Sequence, residues 1–491
     1  MLFNSFHYLV FFPLVVLVFF LLPYRVRWAW LLAASYYFYA CWNPVLLLLL
    51  IFVTAVNFVA ARKIANAKRH RQRKQILLIS IVINFGLLFF FKYLIFMQQS
   101  VQDLIHLLGL SWTLPEPHIL LPMGISFYTF QAAAYTFDVY RGRIRAVNHY
   151  GKFSLFISFF PQLVAGPIER SENLLPQFYR RQRFSVAQTA EGLRIMLWGF
   201  FKKVVLADRL SMAVDAVYTS CQSYTGLALA LATVLFAIQI YCDFSGYSDI
   251  AVGSARILGF RLMENFKRPF FAPSVREYWR RWHISLSGWF MDYVYIPLGG
   301  NRRGKLIQYR NLFLTFLVSG LWHGANWTYV LWGAVHGLYV VVGTITSPLR
   351  KKLRSFFGQG KNPVSNLFFA ILGAGISCGL VCYAFVLFRA NSIKDAIYVY
   401  RHFFWDFWQW TNPQYLYETF LSMGLGLYEW VLMAVAILVL FGGELIAGKN
   451  PRKRLRRLPM PVRGALYAGM LTFLLIAGVY YNAGAFIYFQ F

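Results

Sequence analysis

Acidic residues are scarce in this chain. Asp and Glu number 18 among 491 residues, against 48 Lys and Arg, and the formal net charge is +30. Charge of either sign is sparse too, at 13% of residues. The five cysteines, Cys41, Cys221, Cys242, Cys378 and Cys382, fall in no disulfide or zinc spacing. The last two stand four apart in an apolar run and read as helix packing. P-loop, GxGxxG and GxSxG patterns are absent, and Gly246-Tyr247-Ser248 lacks the strand–turn–helix context of a nucleophile elbow. No metal-ligand cluster stands out. These absences exclude a disulfide-stapled domain, a zinc module and a serine hydrolase. They also argue against nucleic acid as the reason for the charge. The basic residues cluster in short segments between apolar runs, as the positive-inside rule requires of a membrane protein.

Hydrophobic residues make up 59% of the chain and aromatics 19%, which is the profile of an all-α polytopic membrane protein. Apolar runs fall near 8–23, 28–43, 45–60, 75–97, 119–140, 153–168, 191–210, 226–242, 246–260, 281–298, 309–325, 326–345, 366–388, 428–447 and 464–487. About 11–15 of them are expected to be membrane-embedded helices. The runs at 153–168 and 281–298 carry proline, glycine and polar side chains and are expected to be re-entrant or interfacial. Run 8–23 lacks a basic n-region and a clear cleavage site, so it reads as a retained span. With no linker, repeat or low-complexity stretch, residues 1–491 read as one integral-membrane domain. Its expected parts are N-terminal spans over 1–118, a core over 119–345 and C-terminal spans over 346–491.

Basic residues alternate along the chain. Arg25 and Arg27, the block Arg62 to Lys74, and the group Arg141, Arg143, Arg145 and Lys152 follow the first, third and fifth runs, while 98–118 has no Lys or Arg. This predicts an N-terminus outside and basic loops in the cytosol. Segments 302–305, 350–354 and 449–457 then lie inside, and 389–427 and the C-terminus outside. The 449–457 loop, KNPRKRLRR, reads as a topology anchor on anionic lipid.

The most informative stretch is Tyr309 to Ile345, long enough for two passes at about 1.5 Å per residue. At its middle stands Leu321-Trp322-His323-Gly324-Ala325-Asn326-Trp327. An intramembrane histidine is either a hydrogen-bonded packing residue or a functional one. Gly320 and Gly324 permit close approach, and Asn326 is placed to orient the ring. These neighbours favour function. His336 lies farther along; on an unbroken helix it would point about 140° away from His323, so it reads as packing.

A second stretch, Asn265 to Gly304, interleaves rings and guanidinium groups through Tyr278-Trp279-Arg280-Arg281-Trp282-His283. An interfacial anchor accounts for the Trp/Arg mixture but less well for His283, Ser285 and Ser287. The functional reading is an entrance in which Arg276, Arg280, Arg281, Arg302 and Arg303 receive a phosphate-bearing donor. In Gln239 to Ala251, Asp243 and Asp249 need partners, with Arg256 or Arg280 as candidates. Phe159 to Arg170 looks like a broken helix with Gln162 and Glu169 facing a cavity or loop.

The stretches RRWHISLS…YIPLGG and GLWHGANWT resemble the signature of the membrane-bound O-acyltransferase family, in its bacterial alginate O-acetylation branch. Further stretches resemble it nearly end to end: MLFNSFHYLVFF, LPMGISFYTFQAAAYTFDVYRG, FFPQLVAGPIER, YCDFSGYSDIAVGSARILGF and the closing AFIYFQF. The resemblance implies a helical funnel around a transmembrane tunnel in the bacterial inner membrane. It also implies His323 as the catalytic histidine and His283 as the second motif histidine. The expected reaction takes acetyl-CoA from the cytosol, with no tightly bound cofactor and no metal. Neutral His323 removes a proton from an acceptor hydroxyl, as suits an imidazole of ordinary pKa near ~6.5. Burial between Trp322 and Trp327 disfavours imidazolium. Asn326 would hold the ring or donate to the oxyanion. Trp282, Asp243 and Gln162 would line the tunnel with the two tryptophans. The acceptor is an exported polysaccharide, reached directly or through a periplasmic SGNH-type acetyltransferase partner. D-alanyl transfer to teichoic acid and a polysaccharide exporter are the competing readings. An exporter would be expected to show paired halves, which the sequence lacks.

Overall fold

The structure, a computed structural model, describes residues 1–115, 119–164, 166–357, 360, 362–447, 458–480 and 486. The basic loop 449–457 and most of the closing AFIYFQF lie outside the described residues. Among the described residues there is no strand. A chain this apolar satisfies its backbone groups within helices, because hydrocarbon offers no other partner. Seven helical stretches are long and apolar enough to cross a membrane: Pro44–Asn66, His70–Leu107, Gly226–Ile257, Trp327–Ile345, Pro363–Arg389, Leu427–Ile446 and Met460–Ala477. Phe6–Leu21 is a shorter apolar helix. The protein is an all-α polytopic membrane protein.

The chain forms two compact units, residues 1–196 with 248–264 and residues 197–247 with 265–491. The first contains α1 (Phe6–Leu21), α2 (Arg27–Ala40), α3 (Pro44–Asn66), α4 (His70–Leu88), α5 (Leu94–Leu107), α6 (Ile125–Tyr140), α7 (Tyr150–Ser158), α8 (Phe160–Leu163), α9 (Ser171–Leu174) and most of α10 (Val186–Phe200). The α3 start is written in two residues: the Asn43 side chain accepts from Val45 N at 2.9 Å, and Pro44 supplies the first helical position. Buried amides and hydroxyls join three of these helices. Asn57 on α3 donates to Asn84 Oδ1 on α4 at 2.8 Å and accepts from Thr136 Oγ1 on α6 at 2.8 Å. Such bonds are the adhesive left to apolar helices when hydrophobic burial gives no net drive. The run 153–168 is broken as its composition predicts. Phe159, just before Phe160-Pro161, takes an extended ψ of 110° that ends α7.

The second unit contains α11 (Asp208–Thr219), α12 (Gly226–Ile257, its residues from Ser248 onward counted with the first unit), α13 (Val275–Trp279), α14 (Ile284–Phe290), α15 (Lys305–His323), α16 (Trp327–Ile345), α17 (Ser347–Phe356), α18 (Pro363–Arg389), α19 (Ile393–His402), α20 (Pro413–Ser422), α21 (Leu427–Ala447) and α22 (Met460–Ala477). Asn362-Pro363 and Asn412-Pro413 repeat the Asn-cap and proline start of α3. Two π-helical segments, Phe201–Ala207 and Met291–Tyr295, interrupt the expected runs 191–210 and 281–298. Extra residues of this kind inside helices recur at functional sites.

The α15–α16 pair is antiparallel and in backbone contact. A Cβ on Gly320 would lie 2.3 Å from Tyr329 O and 2.9 Å from Gly333 Cα, and one on Gly333 would lie 2.5 Å from Phe316 O. Only glycine permits that spacing. Gly320→Ala and Gly333→Ala should each cost about 1–3 kcal/mol through overpacking. The check is thermal unfolding of the purified protein in detergent. Both variants should melt below the parent, whereas Gly379→Ala, whose Cβ meets nothing within 4 Å, should not.

Candidate active site

The α15–α16 turn positions the central histidine. α15 ends at His323, and Gly324 follows in an extended conformation (φ −162°, ψ 155°). Its missing side chain matters, since a Cβ there would lie 2.2 Å from the Tyr329 ring. Asn326 then starts α16, accepting from Thr328 N at 2.9 Å. The turn sets His323 at the tip of a helical hairpin rather than partway along a continuous span.

Around it is a file of rings. The His323 ring lies 5.0 Å from Trp322, 5.0 Å from Trp332 and 5.3 Å from Phe388 on α18, each edge-on. The His283 ring lies 5.9 Å from Trp322 and 4.6 Å from Phe244 on α12. His283 is 0% and His323 3% exposed. The two histidines picked from sequence, forty residues apart, therefore pack on one indole.

His283 is held by its backbone. It adopts φ 43°, a left-handed conformation that only Arg268 and Asp406 share among the described non-glycine residues. The restraint comes from Asn265. Its carbonyl accepts from Ile284 N at 3.0 Å, and its Oδ1 accepts from Ser285 N at 3.1 Å and Ser285 Oγ at 2.7 Å. Asn265 is thus a site residue that no motif flagged; its only signal was an amide at the head of an aromatic-basic stretch.

Several expectations need correction. Trp327 does not wall His323; it begins α16 and is 50% exposed, and the second tryptophan on the ring is Trp332. The reason is the turn, which starts α16 at Trp327 and swings the residue five positions later back over α15. Asn326 does not orient the imidazole. Its carbonyl caps α16, and its Nδ2 reaches Asn391 O at 3.5 Å. The straight-helix geometry that sets His336 apart fails at the same break. The His336 ring lies 4.7 Å from Trp332, on which His323 also packs, and its Nδ1 accepts from Trp279 Nε1 at 3.3 Å.

Of the arginines proposed for a donor, Arg280 and Arg281 both pair with Glu277, at 3.5 and 3.1 Å. Arg276, Arg302 and Arg303 are exposed. Trp282 is buried and stacks on Tyr278 at 5.4 Å. Asp243 pairs neither with Arg256 nor with Arg280. Lys203, on the π segment of residues 201–207, holds it at 2.7 Å and holds Asp208 at 2.8 Å, all three nearly fully buried. Arg256 belongs to Glu191, at 3.0 Å. Gln162 lies in the first unit, donating to Phe156 O at 2.7 Å across the α7–α8 break, and Glu169 accepts there from Asn173 at 2.6 Å and from Met263 N. Among the described residues no group of three or more His, Cys, Asp or Glu could hold a metal ion.

The geometry places two buried imidazoles on one indole, beside a helix break and a strained backbone. The description of the family model that matches residues 143–386 is membrane-bound O-acyltransferase. The chain is 38% identical over 455 residues to the probable alginate O-acetylase AlgI of Pseudomonas aeruginosa, covering 91% of this chain and 83% of that protein. It is 35% identical over 400 residues to the peptidoglycan O-acetyltransferase of Helicobacter pylori, covering 76% and 72%. With the teichoic acid D-alanyltransferase of Bacillus subtilis it shares 26% over 293 residues, covering 56% and 72%.

The capping geometry of Asn326 has a direct check. Asn326→Ala should destabilise the protein by about 1 kcal/mol, and Asn326→Asp or Asn326→Ser should recover most of it. Thermal unfolding of the three variants reads this out. Equal loss in all three would mean that the amide, not the cap, is what matters.

Proposed function

The chain belongs to the membrane-bound O-acyltransferase family and is a multi-pass membrane acyltransferase, and on that premise we propose that it moves acetyl groups from cytosolic acetyl-CoA to hydroxyls of an exported polysaccharide. The observation that carries this reading is the packing of buried His323 and buried His283 against the same indole, Trp322. Greater identity to the alginate and peptidoglycan O-acetylating relatives than to the D-alanyltransferase favours acetyl as the group transferred.

In the proposed reaction His323 accepts the proton of the acceptor hydroxyl. The oxygen attacks the thioester carbonyl, and a tetrahedral oxyanion forms. Its collapse breaks the C–S bond, and the departing thiolate takes up the proton from His323. The products are an O-acetyl ester and CoA thiol. His283 positions the donor beside Trp322, its strained backbone keeping the ring from turning away. Exposed Arg276, Arg302 and Arg303 are left to meet the donor's phosphates. The membrane is the bacterial inner membrane, with the basic loops in the cytosol and the N-terminus outside. The acetyl group reaches the polymer directly or through a periplasmic SGNH-type acetyltransferase.

The decisive test replaces the base. His323→Ala should lower acetyl esters on the exported polymer by at least about 100-fold, as loss of a general base does. Protein level and polymer export should be unchanged. Acetylation at the parental level in that strain would refute the assignment. Lost export, with transfer from labelled acetyl-CoA intact in isolated membranes, would favour the exporter reading.

A further inference from the structure

The first unit contains a concavity of about 240 Å³ that belongs to none of the catalytic residues. Arg25, Lys152 and Arg180 come to it from three separate segments: the turn before α2, the start of α7 and the strip after α9. Phe19, Phe178 and Phe260 give it an apolar side. Among the described residues no carboxylate lines it.

The cations do not all have the same work. Arg27 is a wall. Its guanidinium donates to Leu22 O at 2.9 Å, Gln182 O at 2.7 Å and Phe20 O at 3.1 Å, which commits each of its three nitrogens to backbone. Arg25 and Arg180 are exposed and form no ion pair among the described residues, nor does Lys152, whose ammonium sits 3.8 Å over the Tyr179 ring. Burial lowers the Lys152 pKa, a sign that its charge is partly stripped of water. Like charges gathered around one small hollow repel, and an anion between them removes that repulsion.

The hollow is also prebuilt. Tyr24 OH donates to Tyr179 O at 2.7 Å, joining the first segment to the third. Gln177 donates to Arg261 O and accepts from Arg261 N, both at 2.9 Å, and Gln182 donates to Gln177 O at 3.2 Å. A ligand entering would not have to order these walls, which is the condition for affinity from few contacts. Arg25 and Lys152 belong to the segments that charge alternation assigns to the cytosolic side, where anionic headgroups and soluble phosphates both occur.

We propose that this concavity binds a phosphate-bearing anion, gripped by Arg25, Lys152 and Arg180 against the apolar side formed by Phe19, Phe178 and Phe260. The phosphate is either that of an anionic phospholipid headgroup or that of a soluble nucleotide. The proposal does not depend on the role of His323.

The test uses the full chain in detergent. One arm measures retention of phosphatidylglycerol against phosphatidylcholine by native mass spectrometry. The other measures the thermal shift produced by adenosine 3′,5′-bisphosphate and by inorganic phosphate. Arg25→Gln with Arg180→Gln should weaken the bound species by about tenfold or more, since bonds to charged groups are being removed. Arg69→Gln with Arg71→Gln, the same charge change at exposed positions elsewhere, should not. Lys152→Gln alone gives the same reading should the double variant misfold. Loss of phosphatidylglycerol only identifies a headgroup site, and loss of the bisphosphate shift only identifies a soluble phosphate. Equal behaviour of the parent and the pocket variants in both arms would overturn the proposal.

Discussion

The contact between Gly320 and Gly333 sets how close α15 and α16 can lie, and that distance governs the second unit's ring cluster. At backbone contact the two helices bring Trp332 back over the end of α15, so its indole meets His323 and His336 at once. A side chain at either glycine would push the helices apart and carry Trp332 away from the histidine. The membrane environment makes such contacts more consequential. Close van der Waals packing is what remains when lipid is as apolar as the side chains it surrounds.

A second constraint is the expense of burying polar groups. Lys203 between Asp208 and Asp243 is a buried three-charge arrangement in which removing the lysine would leave two carboxylates without the ammonium that bridges them. It lies on a π segment, and it ties that segment to α11 and α12. Neutral groups follow the same rule. Asn57, Asn84 and Thr136 satisfy one another in the first unit. Asn265 satisfies the strained start of α14 in the second, where the left-handed His283 holds its ring against Phe244 and Trp322. Strain at one residue persists because a neighbouring amide holds the helix start in place.

Much was legible in order of residues alone. Apolar runs implied helices, and the proline-bearing run at 153–168 broke as its composition required. His323 and His283 stood out because an imidazole amid tryptophans in an apolar run needs a reason to be there. What misled was treating neighbours in sequence as neighbours in space. Trp327 and Asn326 flank the histidine along the chain, yet one begins the next helix half-exposed and the other caps it. Arg256 and Arg280 were the candidate partners of Asp243, yet it pairs with Lys203 on another helical segment.

That this is an all-α membrane protein, and that two of its histidines are unusual, can be read from residue order. Both follow from local facts: the length of apolar runs and the penalty on a polar ring placed in them. Which rings enclose His323, which residue restrains His283, and that His336 shares a tryptophan with the central histidine emerge from the folded chain. The ring enclosure and the shared tryptophan depend on a turn three residues long and on the separation of two helices. A periodicity argument carries no information about where a helix folds back on its neighbour, because the side-chain angles it counts restart at the break.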